Sequence, residues 1–151
     1  MTWGNPPKFK SDLPKQGKKI TPEMLAASGS EDGEQAALFC WAADSVGKYP
    51  QLKWLFSIPN GGSRHIAEAT KMVATGLRSG VPDVFLPARK CNNNDRMYYG
   101  CFIEMKVKKN KTSKEQNDWI AYLTFAGYYV AVCYSWQEAR DTLINYLEGK
   151  V

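Results

Sequence analysis

The sequence predicts a mixed α/β domain in which helices flank a central sheet, and two observations predict this class. Segments with apolar residues at helical spacing alternate with short apolar runs typical of strands. The second half also contains a strand, a helix and a strand in succession, which is typical of a parallel pair joined by a right-handed crossover. The predicted element order is α β α β β α β α. We expect residues 30–151 to form one domain and residues 1–29 to form a basic, proline-containing arm.

Composition narrows the class of protein. Hydrophobic residues make up 44% of the chain, as in folded globular proteins, and a net charge of +5 favours a polyanionic partner such as nucleic acid. The four cysteines lack metal-binding spacing and there is a single histidine, which disfavours a structural zinc site. No stretch resembles a signal peptide or reaches the roughly 18 apolar residues of a membrane span. We therefore expect a cytoplasmic protein without a membrane partner.

The amino-terminal 20 residues contain five lysines and one aspartate. Such a segment is compatible with a solvated tail and with an arm that follows a DNA backbone, and the sequence leaves both interpretations open.

Residues 32–48 are predicted to form the first helix, capped by Ser30 or Asp32. Its apolar stripe contains Ala37, Leu38, Trp41 and Ala42. Glu34 lies near the start of this helix at the edge of the buried face. A carboxylate in that position interacts favourably with the helix dipole, so Glu34 has a structural explanation.

A glycine-rich turn follows the first predicted strand, residues 52–58. The sequence IPNGG at 58–62 continues with Ser63, Arg64 and His65, and a helix is predicted over residues 66–77. Adjacent glycines let backbone amides approach a DNA phosphate closely. An ordinary turn with Ser63 as the helix N-cap is equally compatible with these residues.

A charged hairpin is predicted over residues 80–106, with strands in GVPDVFL (80–86) and CFIEMK (101–106) and a turn at NNND (92–95). Side chains alternate across a strand, so Glu104 and Lys106 share one face. Antiparallel pairing places Asp83 nearly opposite Glu104, where two carboxylates repel each other. A divalent cation with oxygen ligands, such as Mg²⁺, removes this repulsion, and a neighbouring lysine can orient water. The pattern predicts metal-assisted phosphodiester hydrolysis.

Five lysines lie in the nine residues KVKKNKTSK (106–114) that follow the hairpin. Such runs are usually solvated loops, but this one leaves the acidic patch directly, which favours contact with a phosphate backbone. Capping-box patterns begin at Thr112 and at Ser113, and the second explains Gln116 as helix position N3. The next strand, residues 128–134, is nearly all apolar and is predicted to be a central strand buried on both faces, before a last helix.

At these residues the sequence resembles the PD-(D/E)xK nuclease superfamily, through Pro82-Asp83 and Glu104-Met105-Lys106. More narrowly it resembles the VRR-NUC family, the virus-type replication-repair nucleases, over about residues 34–147. The further matching features are Glu34 in the early helix, IPNGG with Arg64, Gly76 and Gly80, and Gln116. The resemblance implies a restriction-endonuclease-like core with a mixed central sheet flanked by helices.

The resemblance also implies an Mg²⁺-dependent DNA endonuclease, with Mn²⁺ able to substitute, that leaves 5′-phosphate and 3′-hydroxyl ends. Asp83, Glu104 and the Met105 carbonyl would bind metal, and Glu34 would complete or extend the site. Lys106 would position or activate the water, and Gln116 would support that water or Lys106. The expected DNA-binding residues are Asn60, Gly61, Gly62, Ser63, Arg64, Lys108, Lys109, Lys111 and Lys114.

Stand-alone members of the family are associated with homodimers that act on four-way (Holliday) junctions, so the resemblance implies a dimeric junction-resolving enzyme of DNA repair. By analogy with the same family, we expect the protein to be phage-encoded and to act in a bacterial host. Two alternatives stay open: a catalytically idle, structure-selective DNA-binding module, and a nuclease with flap, single-strand or restriction-type specificity.

Overall fold

The computed structural model describes residues 19–59 and 66–151. A mixed four-stranded sheet in the order β1-β2-β5-β6 is accompanied by a small ribbon, β3-β4. The strands are β1 Phe56–Ser57, β2 Val84–Leu86, β3 Lys90–Cys91, β4 Met97–Tyr98, β5 Cys101–Met105 and β6 Tyr129–Cys133. The helices are α1 Pro22–Ala26, α2 Glu31–Ser45, α3 Ile66–Ala74, α4 Lys114–Phe125 and α5 Trp136–Leu147, with a 3₁₀ turn at Pro50–Trp54. The predicted mixed α/β class is confirmed.

Helices cover both faces of the sheet. Apolar residues of α2 and α5 pack with Ile103 and Met105 of β5 in the main core. Glu104, between them in sequence, points to the opposite face and contacts α4 through Gln116. The alternation predicted for this strand is therefore present, and it separates an apolar core from a polar site.

The predicted order of elements recurs as α2, β1, α3, β2, β5, α4, β6 and α5, with three additions. Residues 22–26, which fall within the predicted arm, form α1, whose N-cap Thr21 accepts a hydrogen bond from the Met24 N–H. The ribbon β3-β4 comes between β2 and β5 in the sequence. The predicted turn at 92–95 therefore closes this ribbon and does not connect β2 directly to β5. The third addition is the 3₁₀ turn.

The prediction of a strand over residues 52–58 is wrong for its first half. Pro50 begins the 3₁₀ turn, which brings both Leu52 and Leu55 into the core. Residues three apart cannot both face the same side of a strand, whereas a helical turn allows it. The strand is limited to Phe56–Ser57 at the edge of the sheet.

The pairing of β2 with β5 follows the predicted register. Val84 lies opposite Ile103, Phe85 opposite Phe102 and Leu86 opposite Cys101, so Asp83 and Glu104 come next in line. β5 and β6 are parallel, as predicted from the strand-helix-strand unit. The prediction that β6 is a central strand is wrong: β6 ends the sheet and most of its residues are partly exposed, whereas every residue of β5 is buried. An apolar run does not by itself distinguish an edge strand covered by helices from an inner one.

Two contacts hold the start of α4 against the segment that precedes β2. Gly80 has a φ of +84°, and a Cβ there would lie 2.6 Å from the backbone carbon of Glu115. The Trp119 Nε1–H donates a hydrogen bond to the Ser79 carbonyl at 3.0 Å. Because glycine tolerates this conformation and leaves room for the helix, α4 can begin directly beside the polar end of β5.

Helices of the described ranges are too short or too polar to cross a membrane.

Candidate active site

Four of the predicted site residues converge where β2 begins and β5 ends, beside the first turn of α4. Lys106 Nζ donates to Glu104 Oε1 at 2.6 Å, and Gln116 Nε2 donates to the same oxygen. Asp83 Oδ2 accepts a hydrogen bond from the Met105 N–H at 2.8 Å. The antiparallel register, the strand end and a helix N-terminus together assemble this group.

The Glu104 carboxylate is the buried centre of the site. Its side chain is 1% exposed, and its Oε1 receives both hydrogen bonds described above. The second oxygen, Oε2, is buried and has no hydrogen-bond partner within the described residues. A buried carboxylate oxygen without a partner is costly, so this atom has the capacity to bind a further group.

Burial raises the pKa of Glu104 from 4.5 to about 7. The hydrogen bond and charge of Lys106 oppose this shift, whereas the negative charges of Asp83 and Glu31 add to it. Burial lowers the pKa of Lys106, but the hydrogen bond and charge of Glu104, together with the charges of Glu31 and Asp83, raise it above its ordinary value. Lys106 is therefore a protonated hydrogen-bond donor at neutral pH.

The Gln116 side chain caps α4 and also reaches the carboxylate of Glu104. Its Oε1 accepts a hydrogen bond from the Ser113 N–H at 2.8 Å, and the Ser113 Oγ accepts one from the Gln116 N–H at 3.2 Å. This reciprocal pair is the capping box of α4. The remaining amide group, Nε2, donates to Glu104. The cap therefore orients the amide toward the carboxylate.

Glu31 and Glu34 of α2 lie in different environments. The Glu34 carboxylate accepts a hydrogen bond from the Trp136 N–H at 2.6 Å, which caps the first turn of α5. Glu31 Oε1 lies 3.8 Å from Lys106 Nζ and accepts a hydrogen bond from Asn110 Nδ2 at 3.4 Å. Glu31 of α2 thus lies beside Lys106, whereas Glu34 contacts the start of α5. Sequence reasoning did not single out Glu31, because its approach to Lys106 depends on the packing of α2 against β5, which no local pattern records.

The four lysines of residues 108–114 are exposed. Lys108, Lys109, Lys111 and Lys114 all lie at the surface, and Lys108 has a φ of 56° within a turn. Five predicted contact residues lie outside the described part of the chain: Asn60, Gly61, Gly62, Ser63 and Arg64. His65 and the first 18 residues also lie outside it.

The polar groups fit a hard divalent cation. Asp83 and Glu104 supply carboxylate oxygens, Met105 supplies a carbonyl at the same strand end, and Glu104 Oε2 lacks a partner among the described residues. Magnesium typically takes one or two protein carboxylates and completes its shell with water and phosphate. No cluster of three or more His, Cys, Asp or Glu suited to a metal occurs in residues 19–59 and 66–151, so water or substrate would have to supply the remaining ligands.

Comparison with known proteins identifies the family. Residues 25–137 match the model of the VRR-NUC domain. A solved structure of a VRR-NUC domain protein superimposes with a TM-score of 0.63 at 22% identity, covering 79% of this chain and 88% of that chain. At this identity the likeness concerns the fold. No curated protein matches the sequence.

We predict that Glu104 makes folding less favourable as the pH rises. A carboxyl group with a higher pKa in the folded state holds its proton more tightly when folded. The stabilisation that Glu104 gives the folded state by holding its proton is therefore fully present below about pH 4.5 and is lost as the pH rises through about 7. Between pH 5 and 7.5, in chelator, the free energy of unfolding of the wild type should fall by about 2 kcal/mol relative to Glu104→Gln.

Urea denaturation at several pH values measures this difference. Glu68→Gln, which removes an exposed carboxylate of α3, is the matched control and should keep the wild-type profile. If the free energy of unfolding changes with pH in the same way in the wild type and in Glu104→Gln, the pKa of Glu104 is not raised by folding and the prediction is wrong.

Proposed function

Since residues 25–137 match its domain model, the chain belongs to the VRR-NUC family of nucleases, and we propose that it is a metal-dependent, structure-selective DNA endonuclease of PD-(D/E)xK type. The observation that carries the proposal is the buried Glu104, aligned with Asp83 and bound by Lys106 and Gln116. A purely structural site would not require an unpartnered carboxylate oxygen next to a second carboxylate. A cation-binding site does.

Asp83, Glu104 and the Met105 carbonyl would hold Mg²⁺ or Mn²⁺. Such an ion, when bound, polarises the phosphodiester and lowers the pKa of a coordinated water. The protein residues keep the two carboxylates in register, exclude bulk water around Glu104 and orient hydrogen-bond donors toward the reacting phosphate.

Lys106 acts in this proposal as a charged donor and not as a base. Its raised pKa keeps the ammonium group protonated at neutral pH, so it can hold the attacking water or stabilise negative charge that develops on the phosphate. Gln116 keeps Glu104 in place through its amide. The Glu31 carboxylate lies 3.8 Å from the Lys106 ammonium and accepts a hydrogen bond from the Asn110 amide.

The exposed lysines of residues 108–114 lead away from the site and suit contact with the DNA backbone. Phosphodiester hydrolysis on branched DNA, with four-way junctions as the preferred substrate, would leave 5′-phosphate and 3′-hydroxyl ends.

A homodimer would supply the two active sites that symmetrical cutting of a junction needs. The support for it is α3, where Ala69 and Val73 form an apolar pair at helical spacing and are both exposed, Val73 by 57%. Apolar side chains exposed on one helix face often mark an interaction surface. We expect a solution mass of two chains by light scattering, and the mass of one chain at the concentration used for cleavage would contradict the dimer.

The central prediction is metal-dependent cleavage that requires Asp83 and Lys106. Labelled single strand, duplex, flap, splayed-arm and four-way DNA are incubated with Mg²⁺, Mn²⁺ or chelator. We expect one branched substrate to be cut fastest, and Asp83→Asn and Lys106→Met to reduce the rate by at least about 100-fold. Asp44→Asn, at an exposed position of α2, is the control and should cut normally.

Binding without cutting, equal in the wild type and all three variants, would instead indicate an idle binding module. Cutting that survives in chelator would contradict metal dependence.

Glu31 and Glu34 should separate in their effects. Glu34→Ala removes the acceptor of the Trp136 N–H at the start of α5 and should destabilise the fold by about 1–2 kcal/mol, with cleavage changed little below the unfolding temperature. Glu31→Ala should reduce cleavage by about fivefold and lower the free energy of unfolding by no more than about 1 kcal/mol, since an ion pair of this exposure is worth at most about that much. Thermal unfolding and single-turnover cleavage measure the two effects. Slower cleavage with unchanged stability in Glu34→Ala, and normal cleavage in Glu31→Ala, would instead assign the role in the active site to Glu34.

A further inference from the structure

The candidate metal ligand Asp83 lies at the end of the strand ladder. Pairing between β2 and β5 ends with Val84 opposite Ile103, one position short of the site. Beyond that pair, the Asp83 side chain accepts a hydrogen bond from the Met105 N–H at 2.8 Å. On the other side the Asp83 carbonyl accepts one at 2.7 Å from the N–H of Ile58, directly after the two-residue edge strand β1. Strand pairing constrains a residue least at such an end.

The start of α4 contacts the same segment three and four residues before Asp83. The Trp119 Nε1–H donates a hydrogen bond to the Ser79 carbonyl at 3.0 Å. The Gly80 backbone lies so close to the helix that a Cβ there would be 2.6 Å from the backbone carbon of Glu115. The Trp119 ring meets another ring of α4 edge to face at 6.4 Å, which limits the directions in which its N–H can point. The helix thus holds this backbone by a directed hydrogen bond and by close packing.

The same part of α4 also holds the second carboxylate. Gln116 donates from Nε2 to Glu104 Oε1, and its capping box with Ser113 orients the amide. Trp119 lies three residues further along the helix, on the side toward the segment that precedes β2. At about 1.5 Å per residue, the two side chains leave the helix about 4.5 Å apart along its axis. One rigid helix therefore contacts both strands that carry the metal-site carboxylates.

We propose that Trp119 is a positioning residue for the cation site: its indole N–H holds the backbone that carries Asp83 at the separation from Glu104 that a shared divalent cation needs. Magnesium demands near-ideal octahedral geometry, so a small displacement of one ligand weakens binding. Groups that orient a metal ligand without touching the metal typically change metal affinity about 10- to 100-fold when they are removed. This inference rests on the proposed function, since a bound cation is what makes the separation of the two carboxylates matter.

The test measures metal affinity directly, on the full chain without DNA. Trp119→Phe keeps an aromatic ring and removes the N–H that reaches Ser79. Binding of Mn²⁺, followed by the electron paramagnetic resonance signal of the free ion, should weaken about tenfold. The Mg²⁺ concentration that gives half-maximal cleavage of four-way DNA should rise by a similar factor. DNA binding in chelator should stay within about twofold of the wild type.

Tyr146→Phe is the matched control. It removes another hydrogen bond from a side chain to a backbone carbonyl, between the Tyr146 hydroxyl and Ala88 at 2.6 Å, beyond the opposite end of β2. Because Tyr146 is buried, this variant should lower the unfolding temperature at least as much as Trp119→Phe does. Its Mn²⁺ affinity should equal that of the wild type.

Three results would overturn the positioning role. If the wild type binds Mn²⁺ and Trp119→Phe binds it equally well, the role of Trp119 is wrong and the proposed nuclease function stands. An equal loss of Mn²⁺ affinity in Tyr146→Phe would show that the loss follows from a general loosening of the fold. A wild type that does not bind Mn²⁺ would overturn the cation site itself, and the role of Trp119 with it.

Discussion

The burial of the Glu104 carboxylate is the constraint on which the rest of the site depends. β5 is the strand whose five residues are all buried, and it places an ionisable group where water cannot solvate it. The hydrogen bonds of Lys106 and Gln116 satisfy one oxygen and leave the other without a partner among the described residues. The fold therefore keeps a carboxylate in a high-energy environment that a bound cation would relieve. Such a group costs stability and is retained where chemistry needs it.

Helix N-termini provide the geometry around this carboxylate. The capping box of α4 uses one end of the Gln116 amide and presents the other to Glu104, so that a local signal also positions a site residue. The N-terminus of α2 contributes Glu31 to Lys106, while Glu34, one turn later, caps α5. Two residues of one type on one helix thus have different roles, and the difference arises from the elements packed against each.

The surfaces that surround the site differ in chemical character. Exposed lysines follow β5, exposed aromatic rings lie on α4, and exposed apolar side chains lie on α3. Under the proposed function, the lysines suit the backbone of DNA and the apolar side chains of α3 suit a second chain.

The sequence by itself determined the chemistry of the site and much of its assembly. Strand alternation and register depend on local periodicity, so the opposition of Asp83 to Glu104 and the crossover from β5 to β6 could be predicted, as could the cap at Ser113. The tertiary structure decided which strand is central, that residues 50–54 turn as a 3₁₀ helix, and that Glu31 approaches Lys106. These features depend on contacts between residues distant in the chain, whose free energies outweigh local preferences and leave no periodic pattern in the sequence.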